Sequence, residues 1–265
     1  MSPDFTHLEY RRLLDALKAS GYRFHTFAEY HYAGGQLSGR HVLLRHDVDR
    51  MPARAAAMAR LEVDQGVRAT YFFRSRGSSF NPGVIEAVGK LGHEIGYHYE
   101  CLADTGGDPD AAWALFQREL GRFSAFGPIT SIAMHGRPLS RWDSRDLWSR
   151  FDYRNAGVGV EAYLDIDWTR YIYLSDTGRR WDGAYNVRDV PPGVANNSQW
   201  AVRSTKELRE SIARACPDLV LSVHPERWAA SLPGWIQAWL LDSAANTVKL
   251  LLRRTAGPRH ESSRP

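Results

Sequence analysis

The size and charge of the chain exclude several protein classes. Its 265 residues, 43% of them hydrophobic, suffice for one large α/β domain. The formal charge of +4 is modest and no long basic run is interleaved with aromatic side chains, so we expect no nucleic-acid partner. Cys101 and Cys216 are far apart in sequence and form no CxxC pair, which does not indicate a disulfide framework.

Neither the N-terminus nor the apolar stretches predict a membrane segment. The start, MSPDFTHLEYRR, lacks the charged region and apolar core of a signal peptide. The most apolar stretch, Leu232 to Leu252, is interrupted by Asp242 and Lys249, which predicts an amphipathic helix and not a membrane span. We therefore expect a cytoplasmic protein, in which the sequon at 196–198 has no meaning.

The predicted elements alternate between strands and helices along most of the chain. In order they are a helix from Thr6 to about Ser20, a strand at His41–Asp47, a helix from Pro52 to Gln65, a strand at Val67–Phe73, a short helix to Lys90, a strand at His93–Tyr99, a helix from about Asp110 to Phe126, a strand at Ile129–Met134, a strand at Tyr171–Leu174, a helix from Ser204 to about Cys216, a strand at Leu219–Val223 and a long helix from Leu232.

This alternation predicts right-handed βα units and a mainly parallel sheet, closed or nearly closed into a barrel. The alternation is poor between about residues 137 and 199, where we expect long loops over one end of the barrel. No linker or internal repeat is visible. We therefore predict a single domain over residues 1–259 and a disordered tail at 260–265.

Several chemically active side chains fall where predicted strands end. They are Asp47, Asp49, His98, His135, Asp176 and His224. Chemistry in parallel α/β folds is placed at the carboxyl ends of the strands. One histidine in such a position is usually packing material, but histidines on separate strands beside a carboxylate pair favour a common site.

The segment HVLLRHDVDR places two carboxylates together. On an extended strand Asp47 and Asp49 point to the same side, and Arg45 lies on that face too. Clustered carboxylates are costly to pack but suit a metal ion with an adjacent proton acceptor. The alternative is an Asx-rich turn that caps the next helix. His46 points to the opposite face, where we expect a structural role.

Three segments resemble motifs of the polysaccharide deacetylases, the NodB-homology group of carbohydrate esterase family 4. RHDVD stands where this family has its paired aspartates, GHEIGYHYE (Gly92–Glu100) is similar to the second motif, and SVHPERW (Ser222–Trp228) to the last. The resemblance runs from about Leu43 to Trp228 and is strongest to a divergent branch associated with O-antigen and capsule biosynthesis. It implies a distorted (β/α)7-type barrel.

The resemblance also implies roles for the strand-end residues. Asp47 would be the general base and His224 the general acid. Asp49 and His98 would be metal ligands. Each role is carried over from the motif in which the residue stands.

The chain departs from the family in its metal-binding motif. The family usually has a second histidine four residues after the first, and Leu102 occupies that position here. His135 is the candidate for the missing ligand, with Glu100 as the second choice. The resemblance implies one of two counterparts for the arginine of the family's Arg-x-Pro motif, which orients the base: Arg137, or His135 in that arginine's place.

The family's fourth motif has two possible counterparts, Asp167-Trp168 and Asp176–Gly183, of which the second is favoured because it follows an apolar strand. The predicted substrate-binding residues are Arg137, Asp176, Arg179, Arg180 and Trp181. The adjacent arginines would bind an anionic part of the substrate, although a solvated charge pair is the plainer interpretation.

The expected activity is hydrolysis of an acyl group. By the resemblance, a divalent metal ion, Zn²⁺ first and Ni²⁺, Co²⁺ or Mn²⁺ as alternatives, would assist removal of an N-acetyl group from an amino sugar of a bacterial surface glycan or its precursor. A sugar deformylase or O-deacetylase on the same scaffold is the second hypothesis. The third is a degenerate barrel that only binds glycan, which the histidine missing at Leu102 favours.

Overall fold

The computed structural model describes residues 3–137, 139–188, 190–193, 200–214 and 217–255, with side chains up to Thr247. The predicted tail at 260–265, Cys216 and the sequon at 196–198 lie outside the described residues. Among the residues described, no helix has the length and apolar character that a membrane crossing needs.

Helices and strands alternate along the described chain. The helices are α1 (His7–Ala19), α2 (Phe27–Tyr32), α3 (Pro52–Asp64), α4 (Pro82–Lys90), α5 (Cys101–Asp104), α6 (Pro109–Phe123), α7 (Thr205–Arg214) and α8 (Leu232–Thr255). The strands are β1 (Arg23–His25), β2 (His41–Val48), β3 (Thr70–Phe73), β4 (Glu94–Tyr99), β5 (Ser131–Met134), β6 (Val160–Glu161), β7 (Tyr171–Ser175) and β8 (Asp218–Val223). Sequence patterns missed α2, α5 and the short strands β1 and β6.

The strands form one sheet in the order β6-β5-β4-β3-β2-β8-β7, and β1 pairs beside it with the start of β2. Each pairing is parallel, and β2 contacts β3 along one edge and β8 along the other. Seven strands thus form the continuous path. The predicted fold class, an α/β distorted (β/α)7-type barrel, is confirmed.

β6 and β7 are the two ends of the sheet, and they share no backbone pairing in the described structure. Side chains close the gap between them. The rings of Tyr163, just after β6, and Tyr173 in β7 lie 5.9 Å apart. Tyr30 of α2 packs edge-on against Tyr171 at 5.9 Å and donates a hydrogen bond of 3.4 Å to the Asp165 carbonyl. Aromatic packing therefore closes the curled sheet where β6 is too short to pair.

Strand β2 carries different chemistry on its two faces, and every one of its residues is buried. His46 faces the helices, where its Nε2 lies 2.6 Å from Glu62 Oε1 and its ring stacks on Tyr71. Arg45 and Asp47 face the barrel interior, where they contact each other. Period-two alternation thus directs one face to structure and the other to a polar centre, as the sequence predicted.

The turn after β2 fixes the position of Asp49. Met51 has a left-handed backbone (φ 53°), and Pro52 is the first residue of α3. Proline suits this position because its fixed φ is already helical and its missing N–H has no partner in the first turn. The chain therefore leaves the strand abruptly, with Asp49 held over the rim of the barrel.

Candidate metal and catalytic site

A polar cleft of about 270 Å³ opens at the carboxyl ends of the central strands. Strand-end residues from β2, β4, β5 and β8 line it, namely Asp47, Asp49, His98, His135 and His224. Side chains that are up to 177 positions apart in the sequence thus lie together in one cleft. The cleft lies at the end of the sheet where parallel α/β folds place their chemistry.

Asp49, His98 and His135 form a compact cluster in this cleft. Asp49 Oδ1 lies 3.5 Å from His98 Nε2 and 3.4 Å from His135 Nε2. The three candidate ligand atoms all lie within 4.8 Å of one another. Two ligands about 2.1 Å from a common tetrahedral ion are about 3.4 Å apart, so these separations fit a zinc-sized ion.

Hydrogen bonds on the far side of each ring aim the two imidazoles. His98 Nδ1 donates to the Ala133 carbonyl at 2.9 Å, and His135 Nδ1 donates to Glu100 Oε2 at 3.0 Å. Because a carbonyl and a carboxylate only accept, each Nδ1 carries a proton, and Nε2 is the ring atom that faces Asp49. Metal-binding histidines are usually held in this way.

One oxygen of the cluster has no hydrogen-bond donor among the described residues. Asp49 Oδ1 is buried and accepts no hydrogen bond among the described residues. Burial raises the pKa of Asp49, but His135 and then His98 outweigh it and lower the pKa to about 2. Burial lowers the pKa of His98 to about 4, despite the neighbouring carboxylates. An ionised oxygen beside a neutral imidazole is a donor set suited to a divalent cation.

Asp47 is held beside this cluster by Arg45. Arg45 Nε donates to Asp47 Oδ1 at 3.0 Å and Nη2 to Oδ2 at 2.7 Å, and Ser222 Oγ donates to Oδ2 at 3.3 Å. Asp47 Oδ2 also lies 4.0 Å from His98 Nε2. Burial raises the pKa of Asp47, but Arg45 and then His98 outweigh it and hold the pKa well below its ordinary value.

Arg45 itself is fixed between two aromatic rings. Its guanidinium lies 5.1 Å from the centre of Phe72 and 4.5 Å from that of Tyr163. Nη2 also donates to the Tyr163 hydroxyl at 3.1 Å. The sequence placed Arg45 on the face of Asp47 without a role, and it did not point to Tyr163, which lies 118 residues further along the chain.

His224 lines the cleft with one nitrogen anchored. Its Nδ1 donates to Asp176 Oδ1 at 2.7 Å, while its backbone N–H and the side chains of Arg227 and Trp228 donate to the same carboxylate. Burial and Arg227 lower the pKa of His224, but Asp176 outweighs them, so the pKa is raised. Asp176 is fully buried and orients His224 instead of lining the cleft, where the sequence expected it to bind substrate.

The residues that follow Asp176 pack away from the cleft. Arg179 donates to the Arg227 carbonyl at 3.0 Å with its side chain 9% exposed. Arg180 pairs with Asp182, and Trp181 is buried, donating from Nε1 to Thr205 Oγ1 at 3.2 Å. The predicted anion-binding and substrate-binding positions at 179–181 therefore serve packing and ion pairing.

Arg137, the remaining predicted substrate-binding residue, lies at the rim beside the cluster. Its Nε is 3.6 Å from Glu100 Oε2, its Nη1 donates to Asp104, and its side chain is 38% exposed. Glu100, the second choice for a metal ligand, lies behind His135 and not against Asp49. His135 therefore lies against Asp49, and Glu100 lies one hydrogen bond further away, on the other side of the His135 ring.

Helix α8 supplies a wall of the cleft that sequence reasoning did not predict. Asp242, Ala245 and Asn246 line the cleft, and Asp242 Oδ1 accepts from Arg50 Nη2 at 2.8 Å. Glu226, inside the motif SVHPERW, also lines it, and burial together with Asp49 raises its pKa to about 7. Asp242 was a visible signal, being an acidic residue in the most apolar stretch of the chain.

Comparison with known proteins gives fold neighbours alone. No family model and no curated protein matches the chain. Similar solved structures include a family 4 carbohydrate esterase from Bacillus anthracis, at 12% identity over 91% of this chain and 84% of that one, with a TM-score of 0.41. Another is a family 4 carbohydrate esterase from Streptomyces lividans, at 14% identity over 80% of this chain and 91% of that one, with a TM-score of 0.42.

A third similar structure is a family 4 carbohydrate esterase pseudoenzyme from Bacillus anthracis. It is 13% identical over 84% of this chain and 67% of that one, with a TM-score of 0.45. At these identities and TM-scores the likeness adds nothing to the assignment of a site or an activity. Both rest on the contacts described above.

Proposed function

We propose that this protein is a metal-dependent hydrolase that removes an N-acetyl or similar acyl group from an amino sugar of a bacterial surface polysaccharide or its precursor. The observation that carries the proposal is the buried Oδ1 of Asp49, which accepts no hydrogen bond among the described residues and lies within 3.5 Å of two aimed imidazole nitrogens. Asp47 and His224 line the same cleft. This arrangement offers separate groups for binding a cation, accepting a proton and donating one.

Asp49, His98 and His135 would hold the ion. Two imidazoles and one carboxylate form a common catalytic set for Zn²⁺, and the same ligands accept Ni²⁺, Co²⁺ or Mn²⁺. When bound, a divalent ion supplies Lewis acidity that lowers the pKa of a coordinated water to about 7 and polarises an acyl carbonyl. Three protein ligands leave room for water and substrate.

Asp47 is suited to accept a proton from the attacking water. Its lowered pKa keeps the carboxylate ionised at neutral pH, and Arg45 and Ser222 fix its orientation. Oδ2 is the oxygen on the side of His98, so it faces the cluster. A carboxylate of low pKa is a weak base, so the proton must come from a water that is already acidified.

His224 is suited to donate a proton to the departing amine. Asp176 holds Nδ1, which leaves Nε2 as the atom free to carry a proton into the cleft. Because the pKa of His224 is raised, the protonated form is populated near neutral pH. An amine is a poor leaving group unless it is protonated, so this acid matches amide hydrolysis.

The dimensions of the cleft bear on the substrate. Its volume of about 270 Å³ is close to the lower limit of the roughly 300–1,000 Å³ that is usual for ligand pockets. A single sugar ring with its acyl group is the portion that we expect to be enclosed. The rest of a glycan would lie outside, over the rim.

The approach of His135 to Asp49 favours an enzyme over a glycan-binding module. Leu102, where the missing histidine would stand, is buried and packs in the hydrophobic core. His135 comes from a neighbouring strand and lies 3.4 Å from Asp49. Three candidate ligands are therefore available without a histidine at position 102.

The proposal is tested by measuring metal content and acyl release on the same preparations. Zinc per chain is determined by elemental analysis, and acetate and formate release by enzymatic assay over a panel of N-acetyl and N-formyl sugars. Asp47→Asn should keep the metal and lose about 10²–10⁴ in rate, because a positioned proton acceptor is removed. Asp49→Asn should lose the metal.

Asp15→Asn is a matched control, since this aspartate is on the surface, with its side chain 61% exposed. It should retain both metal and activity. Wild-type metal content together with full activity in Asp47→Asn and Asp49→Asn would overturn the proposed function. Formate release without acetate release would replace the deacetylase by a deformylase on the same site.

A further inference from the structure

Three arginines gather at the edge of the cleft, beyond the ends of β3 and β5. We call Arg74, Arg76 and Arg137 the arginine rim. Arg74 and Arg76 follow β3, and Arg137 lies two residues after His135. Their side chains are 22%, 45% and 38% exposed, in that order. Arg74 lines the cleft itself, so the rim is continuous with the metal cluster.

Two recessed carboxylates hold the rim in place. Glu100 Oε1 accepts from Arg74 Nη2 at 2.7 Å and lies 3.4 Å from Arg76 Nε, whereas Asp104 pairs with Arg76 and Arg137. The side chains of Glu100 and Asp104 are only 3% and 9% exposed. The negative charges are therefore buried, and the positive charges of the rim are the more exposed.

The rim has more positive charge and more donors than its partners neutralise. Three guanidiniums share two carboxylates, which leaves a net charge of +1 at the described contacts. A guanidinium has five N–H donors and a carboxylate about four acceptor positions, so about 15 donors face about 8 acceptors. Glu100 also accepts from His135, which takes one of those positions. Donors are left over for a ligand.

We propose that the arginine rim binds a phosphate group of the substrate, so that the amino sugar enters the cleft as a phosphate ester. This inference rests on the proposed function and names its substrate class. Guanidinium groups match the oxygens of phosphate in paired hydrogen bonds, and they are weakly hydrated compared with ammonium. A neutral glycan would leave the surplus charge unused.

The position of the rim relates the phosphate to the reaction centre. Glu100 contacts Arg74 through Oε1 and His135 through Oε2, so one carboxylate separates the rim from a metal ligand. A phosphate on the rim would thus lie one side chain away from the cluster. The phosphate would then be on the same sugar ring as the acylamino group, or on the atom that links this ring to a carrier.

The test compares binding of matched sugars to the zinc-loaded protein by titration calorimetry. N-acetylglucosamine 1-phosphate should bind at least about tenfold more tightly than N-acetylglucosamine, because charge-assisted hydrogen bonds are added. Arg76→Gln and Arg137→Gln should each remove about tenfold of the affinity for the phosphate, with little change for the neutral sugar. Arg150→Gln is the matched control, since this arginine forms a surface ion pair with Asp110.

Each outcome of this titration decides the proposal. The proposal would be overturned in favour of a purely structural rim if the two sugars bound with equal affinity. It would also be overturned if the rim variants, unlike Arg150→Gln, lost affinity for both sugars. An N-acetylated uronic acid that binds more tightly than the sugar phosphate would show that the rim takes a carboxylate, which also overturns the phosphate. Acetate release from neutral sugars with no phosphate preference would overturn the rim and leave the proposed function intact.

Discussion

Replacing Glu100 by glutamine perturbs the metal site without touching a proposed ligand. Glu100 Oε2 accepts the hydrogen bond from His135 Nδ1 at 3.0 Å, with the carboxylate 3% exposed. Burial raises the pKa of Glu100, but His135 and then Arg74 outweigh it and lower the pKa to about 2, so the side chain is charged at neutral pH. Glutamine keeps the shape and removes that charge.

The expected loss follows from what the carboxylate does for His135. A charged acceptor makes the imidazole more basic and fixes its tautomer, and losing such a partner usually costs about 10–100-fold in metal affinity. This corresponds to about 1.4–2.7 kcal/mol. At the same saturating zinc concentration, the stabilisation by zinc should fall by that amount, since it varies with the logarithm of the dissociation constant.

The assay is zinc affinity by chelator competition, together with thermal unfolding with and without zinc. Asp104→Asn is the control, because Asp104 pairs with the same Arg76 and Arg137 but does not contact His135 in the described structure. Its zinc affinity should stay within about threefold of the wild type. If Glu100→Gln bound zinc as tightly as the wild type, the role of Glu100 in aiming His135 would be refuted.

Three further variants test the other members of the site. Asp176→Asn should lower the pKa of His224, because Asp176 raises it; activity needs the protonated imidazole and is lost as pH rises through that pKa, so the basic limb of the kcat/KM profile should move to lower pH. Asp49→Asn should make the metal-free protein less stable at neutral pH, since the lowered pKa of Asp49 means that the folded state stabilises this carboxylate, and thermal unfolding should no longer respond to zinc. Arg45→Lys should lower kcat by at least about tenfold with zinc content unchanged, because lysine cannot make the paired hydrogen bonds to Asp47.

The longer strands and the residues at their ends were predictable from local patterns. The run at His41–Val48 is apolar and alternates in chemistry, so its end, its two faces and the direction of Asp47 follow from a period of two. The same reasoning placed His98, His135 and His224 at one rim. Parallel strands bring their carboxyl ends together, and residues far apart in sequence therefore become neighbours.

The partners of those residues were not predictable, because they depend on contacts between distant segments. Asp176 was expected to bind substrate, but it accepts from residues 48–52 positions further along and is sealed from solvent. Whether His135 or Glu100 lies against Asp49 depends on the relative positions of β4 and β5, which local patterns do not reveal. Helix α8 was predicted as an amphipathic helix, yet only packing shows that Asp242 and Asn246 wall the cleft.

The segment between residues 137 and 199 was expected to be loops over one end of the barrel. Besides the predicted strand at Tyr171–Leu174, which is β7, its described residues contain β6 and short helical turns, and β6 has only two residues. So short a strand gives no usable period in sequence. Tyr163, two residues after β6, connects this segment to the site, since its ring contacts both Arg45 and Tyr173.

Anomalous diffraction from crystals grown with zinc measures the central claim directly. The account predicts a single strong peak bound by Asp49 Oδ1, His98 Nε2 and His135 Nε2, at the distances of about 2.0–2.2 Å that are usual for zinc. A peak held by other side chains, such as Glu226 and Asp242, or the absence of any peak in the cleft at saturating zinc, would contradict it.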